Sequence, residues 1–157
     1  MRKLLACFIG VVFSVVSYAS ETLCQPKENI IFSCPIKSSP KIISVCGSSN
    51  LTADKGYLQY RFGTVTNIEF TFPKSKDKTQ NQFWWEEHRA YESFDSNLSF
   101  RNSGYVYTIF SYEFSEELNA NKYGVNIFKT NDEKWKRTFE CAQKPTGHFS
   151  LSEIVPE

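Results

Sequence analysis

Hydrophobic and polar positions alternate with a period of two along most of this chain. In residues 57–62 (YLQYRF), Leu58, Tyr60 and Phe62 alternate with Tyr57, Gln59 and Arg61. In residues 65–72 (VTNIEFTF), Ile68, Phe70 and Phe72 share one face and Asn67, Glu69 and Thr71 the other. That alternation predicts half-buried β-strands, because successive side chains of a strand point to opposite sides. Residues 29–36 and 41–46 flank Lys37-Ser38-Ser39-Pro40 and predict a first hairpin. Residues 73–81 (PKSKDKTQN) open on proline and carry no apolar side chain, which predicts a solvated loop.

The aromatic-rich residues 82–94 fit a strand better than a helical turn. Residues 98–101 lead into Asn102-Ser103-Gly104, the tip of a hairpin, and Tyr105–Phe114 leads out of it. Val106, Thr108, Phe110, Tyr112 and Phe114 lie on one face of that outgoing strand, and Tyr105, Tyr107, Ile109 and Ser111 on the other. A polar connection at 116–122 and candidate strands at 124–129, 134–141 and 148–155 complete the chain. About eight short strands without a long helix predict an all-β fold, an antiparallel β-sandwich or flattened barrel. Aromatic residues make up 16% of the sequence and supply the core of such a domain.

The N-terminus changes the expected environment. Met1-Arg2-Lys3 is basic, residues 4–16 are apolar but shorter than a bilayer span, and Ser17-Tyr18-Ala19 places small residues where a signal peptidase cuts. Residues 1–19 are therefore expected to be a secretory signal peptide and 20–157 a single β domain, periplasmic in the first instance and secreted in the second. Lys and Arg number 18 against 17 Asp and Glu, and two of the basic residues leave with the signal. A near-neutral chain gives no electrostatic case for nucleic acid or for an anionic membrane surface. No integral membrane segment is expected in the mature chain.

Export makes the cysteines informative. Cys24, Cys34, Cys46 and Cys141 remain after Cys7 is removed, an even number that reads as two disulfides with three possible connectivities. The favoured pairing joins Cys34 to Cys141, stapling the first strand to a late one, and Cys24 to Cys46. Zinc spacing is absent, since no pair stands as C-x-x-C and no histidine lies near any of the four. No metal or cofactor is expected.

Catalytic constellations are also missing from the sequence. His88 and His148 have no nucleophile motif or second ligand at helical spacing, and Glu86 and Glu87 would point to opposite faces of a strand. Glu116 and Glu117 fall in a polar connection. The chain is expected not to be an enzyme. Trp84 and Trp85 offer an alternative function, a stacking surface for a carbohydrate- or envelope-binding module, although on a strand one indole faces the core and the other the outside.

Ser103-Gly104-Tyr105-Val106-Tyr107 fits S-G-x-x-Y and resembles the loop motif of the bacterial periplasmic lysozyme inhibitors. The resemblance implies a small exported β protein whose exposed loop, with Ser103, Gly104 and Tyr107, enters the cleft of a lysozyme or muramidase. Such enzymes work with two carboxyl groups. A serine hydroxyl on a tight glycine turn is a small donor able to reach one of them. In that family an aromatic-x-Cys strand is bridged to a C-terminal cysteine, a layout that Phe32-Ser33-Cys34 and Phe139-Glu140-Cys141 echo. The second motif of the inhibitors of animal-type lysozyme, with Thr-Lys-Gly, is not matched by Asn121-Lys122-Tyr123-Gly124, and its lysine's role is not carried over. The target is expected to be a host lysozyme or a rival bacterium's hydrolase, making the protein a defence or an immunity factor.

Overall fold

The computed structural model describes residues 21–115 and 120–156, with residues 133–135 described as backbone alone. The expected signal segment, Glu116 and Glu117 lie outside the described residues. Among the described residues, nine strands form two antiparallel sheets. The first sheet runs in chain order through β1 (Glu28–Pro35), β2 (Ile42–Ser48), β3 (Leu58–Thr64) and β4 (Asn67–Phe72). The second runs through β5 (Phe83–Arg89), β6 (Ser93–Asn102), β7 (Tyr105–Phe114), β8 (Lys122–Lys129) and β9 (Asp132–Glu140). The only helical element among the described residues is a 3-10 turn at Gln80–Gln82.

The sheets face one another across a core to which Ile43, Val45, Leu58 and Tyr60 contribute from one side and Trp85, Leu98, Phe100, Ile109 and Val125 from the other. Aromatic rings bridge the gap. Phe72 of β4 stacks on Phe100 of β6 at 4.3 Å between centroids, and Phe100 stacks on Tyr107 of β7 at 4.7 Å. The sandwich is stitched along one side, where the Lys37 N–H donates to the Glu140 carbonyl and the Ala142 N–H to the Pro35 carbonyl. Beside this seam Cys34 is bonded to Cys141. Cys24 is bonded to Cys46, holding the N-terminal segment against the first sheet.

The alternation in β3 has a different outcome from the half-buried strand it predicts. Leu58 and Tyr60 enter the core as expected, yet Gln59 and Arg61 on the opposite face are buried too. The N-terminal segment lies over Arg61, and the loop after β4 meets Gln59, whose amide donates to the Pro73 carbonyl at 2.7 Å. Arg61 donates to the Leu23 carbonyl at 2.8 Å, to both carboxylate oxygens of Glu28 at 2.6 and 2.7 Å, and to the Gln59 side-chain oxygen at 2.7 Å. Tyr57 adds a hydroxyl donor to Glu28 at 2.6 Å. A buried guanidinium is tolerated here because each of its neighbours is an acceptor. The loop after β4 is exposed at residues 74–78 as its composition predicts, but its end is anchored: Thr79 is buried, its hydroxyl accepting from the Leu58 N–H and donating to the Leu58 carbonyl.

Two expected strands differ. Residues 82–94 divide into the 3-10 turn's last residue, β5, a turn at 90–92 and the start of β6. The Ala90 N–H donates to the Ser93 carbonyl across that turn, and Tyr91 stands fully exposed. Ala-Tyr-Glu contains none of the usual turn residues, so the sequence carries no punctuation there. Residues 148–155 form no strand. Leu151 and Val155, four apart, are both buried, and the N–H groups of Ile154 and Val155 donate to the Leu151 carbonyl in a tight turn. The tail then meets the edge strand β5, where the Pro156 carbonyl accepts from the Trp85 N–H at 2.9 Å. Covering that edge removes a template for strand pairing with other chains.

Gly124 shows how tightly the outer face of the second sheet is filled. It pairs with Phe110, whose ring lies 3.1 Å from the position a Cβ would take, and the Phe139 carbonyl oxygen is closer still. Gly124→Ala is expected to lower the free energy of unfolding by about 1–3 kcal/mol, as overpacking does. A urea midpoint unchanged from the parent protein would show that β8 shifts without cost.

Candidate functional site

The tip of the β6–β7 hairpin is built by register. Ten consecutive pairs run without a bulge from Ser93 opposite Phe114 to Asn102 opposite Tyr105. Two residues, Ser103 and Gly104, are left to close the turn. Their φ values are 51° and 80°, so both occupy the left-handed region that a two-residue type I′ hairpin turn requires. Gly104 supplies this conformation without steric cost, and Ser103 adopts it as a non-glycine residue. Both are exposed, and a Cβ on Gly104 would meet nothing within 4 Å. Gly104 is therefore set by backbone conformation and not by crowding.

The turn is tied down from one side. The Gly104 carbonyl accepts from the Thr130 N–H at 2.9 Å and from the Thr130 hydroxyl at 2.8 Å, linking the tip to the β8–β9 turn. Tyr107 braces it from below, its ring nearly parallel to Phe100 and stacked at 5.5 Å on Phe70 of β4. Burial, and secondarily the neighbouring Tyr105 phenol, push the Tyr107 hydroxyl up, so it remains protonated at neutral pH. Of the three motif residues, Ser103 and Gly104 are presented to solvent while Tyr107 is a half-buried support.

The tryptophans separate as strand geometry predicts. Trp85 faces the core, 1% exposed, with Phe149 edge-on to its ring at 4.9 Å. Trp84 faces outward, and the Arg101 guanidinium lies over its ring at 4.8 Å. The two indoles do not form a joint surface. His88 and His148 are both exposed. Among the described residues, one group of three potential ligand atoms lies close together, on Cys24, Glu28 and Cys46. Both sulfurs belong to the disulfide and the carboxylate is held by Arg61, so the group has the wrong chemistry for a metal.

Beside the tip lies a feature that strand periodicity did not indicate. Tyr60, Phe62 and Phe70 of the first sheet and Tyr107, Ile127 and Phe139 of the second line a pocket of about 350 Å³ between the sheets. Tyr105, Glu69 and Arg137 complete its wall, the last two at the solvent rim. Apart from Glu69, which is next to Phe70 on the edge strand β4, these residues follow the alternation of their strands. Only the pairing of the two sheets brings them together.

The fold and the tip define a class, a disulfide-braced β-sandwich that presents an anchored two-residue hairpin turn. Compared with protein-family models, curated proteins and solved structures, the chain matches none. No helix among the described residues is long and apolar enough to cross a membrane.

Proposed function

We propose that this protein is a non-catalytic periplasmic inhibitor that blocks a lysozyme or muramidase by inserting the 102–107 tip into the enzyme's cleft. The observation that carries the reading is the state of Ser103 and Gly104. They are exposed and unobstructed, yet their backbone is fixed by the unbroken hairpin register and by the two Thr130 hydrogen bonds. Inserting a preformed loop loses little conformational entropy on binding, which favours affinity. The Ser103 hydroxyl at the apex is a small donor for one carboxyl group of the cleft. Tyr107 acts through the loop by holding its base against Phe100. The signal-like N-terminus and the two disulfides support an oxidising, exported setting.

The test is a lysis assay in which residues 20–157 are added to c-type, g-type and i-type lysozymes and to bacterial muramidase effectors. Inhibition of one class is expected. Ser103→Asp should weaken it by about a hundredfold or more, because a carboxylate would face the cleft's own carboxyl groups. Aspartate tolerates left-handed backbone and the site is exposed, so the melting temperature should stay within about 2 °C of the parent. Full inhibition by Ser103→Asp would remove the tip from the mechanism, and no inhibition across the panel would remove the function.

A further inference from the structure

The pocket beside the tip has a composition that selects a ligand. Its walls are aromatic and aliphatic, contributed by facing strands of both sheets, and its volume lies at the lower end of the range typical of small-molecule sites. Its two charged residues are not equivalent. Glu69 is neutralised by Lys41, whose ammonium lies 2.8 Å from the carboxylate. Arg137 has no ion-pair partner among the described residues and places a positive charge at the rim.

A polar group also lies inside. Tyr60 is 1% exposed and lines the pocket. Burial, with the Tyr107 phenol as a lesser contribution, pushes its hydroxyl up, so it stays protonated and acts as a donor. Tyr107 lines the same wall.

We infer that this pocket binds a free small carboxylate with an apolar body of about one ring or a short acyl chain. The body lies against Phe62, Phe70, Ile127 and Phe139, while Arg137 at the rim binds the anionic end. A cation would be repelled by Arg137, and a neutral apolar molecule would leave its charge unanswered. The site does not depend on lysozyme inhibition: Ser103 and Gly104 lie outside it, and Tyr107, which braces the tip, is the one motif residue in its wall.

The test uses 3-phenylpropionate and its neutral amide as probes, titrated into disulfide-intact ¹⁵N-labelled protein. The acid should bind with a Kd on the order of 1 mM, the range expected for a fragment of this size. Shifts should be confined to the pocket strands, with Tyr107, Ile127 and Arg137 moving most. The amide should bind at least about tenfold more weakly, since it loses the charge-assisted contact. Arg137→Gln, an exposed substitution, should reduce acid binding to the level of the amide without altering the dispersed spectrum. Equal affinity for acid and amide, undiminished binding by Arg137→Gln, shifts outside the pocket or no saturation by about 20 mM would each overturn the proposal. The lysis assay is a separate reading, so failure here leaves the inhibitor proposal where it stood.

Discussion

Removing the Cys34–Cys141 bridge by Cys34→Ala with Cys141→Ala is expected to lower the free energy of unfolding by about 2–5 kcal/mol. The bond closes a segment with a sequence separation of 107 residues. Constraining so long a loop in the unfolded chain is worth roughly 4–5 kcal/mol on the chain-entropy model. Its position adds a second contribution, because Cys34 is fully buried at the seam between β1 and the end of β9. Much of a small domain's total stability is at stake. Denaturant unfolding of the double variant, with Cys24–Cys46 intact, measures the effect. Loss of less than about 1 kcal/mol would show that hydrogen bonds along the seam hold the sheets together unaided.

Glu28→Gln is expected to have a comparable effect for a different reason. Glu28 and Arg61 form an ion pair at 2.6 Å with side chains only 3% and 4% exposed. Removing the carboxylate leaves a buried guanidinium without a counter-charge at that position, which costs about 3–5 kcal/mol. The pair also makes a signed prediction about pH. Burial alone pushes the Glu28 carboxyl up, but hydrogen bonds from Arg61, Tyr57 and the Gln25 N–H, with the Arg61 charge, outweigh it and bring the pKa down from 4.5 to about 2. A depressed folded-state pKa means that this contribution is fully present above the unfolded value and is lost as pH falls through the folded one. Stability should therefore drop between about pH 4.5 and 2 in the parent protein, and Glu28→Gln should lack that component of the drop. Replacing Glu28 and Arg61 together by methionine should cost less than Glu28→Gln alone, since a buried pair can be exchanged for apolar packing. Acid titrations that coincide in the parent and Glu28→Gln would place the pair in solvent.

The strand pattern was legible because period-two alternation is a local property. It located β1, β2, β3, β4 and β7 to within a few residues, and separated Trp84 from Trp85 correctly. It failed where local signals conflict with their surroundings. Ala90-Tyr91-Glu92 turns the chain without a turn residue, and residues 148–155 look strand-like but place Leu151 and Val155 on one side of a turn. Arg61 read as the solvent side of a strand. Burial was decided by the N-terminal segment, which a cysteine more than twenty residues away in sequence ties across it.

By itself the sequence determined which positions alternate, where the Ser103-Gly104 turn falls and that residues 20–157 carry an even set of four cysteines. The first two follow from backbone geometry and from glycine's access to positive φ. The tertiary structure decided which faces meet. The Arg61–Glu28 pair, the stack of Phe72, Phe100 and Tyr107, and the pocket rimmed by Glu69 and Arg137 all join residues from strands distant in sequence. The physical reason is that alternation fixes the two faces of each strand but says nothing about the neighbour each face meets. That neighbour is set by how the two sheets stack and by the bonds that hold them together.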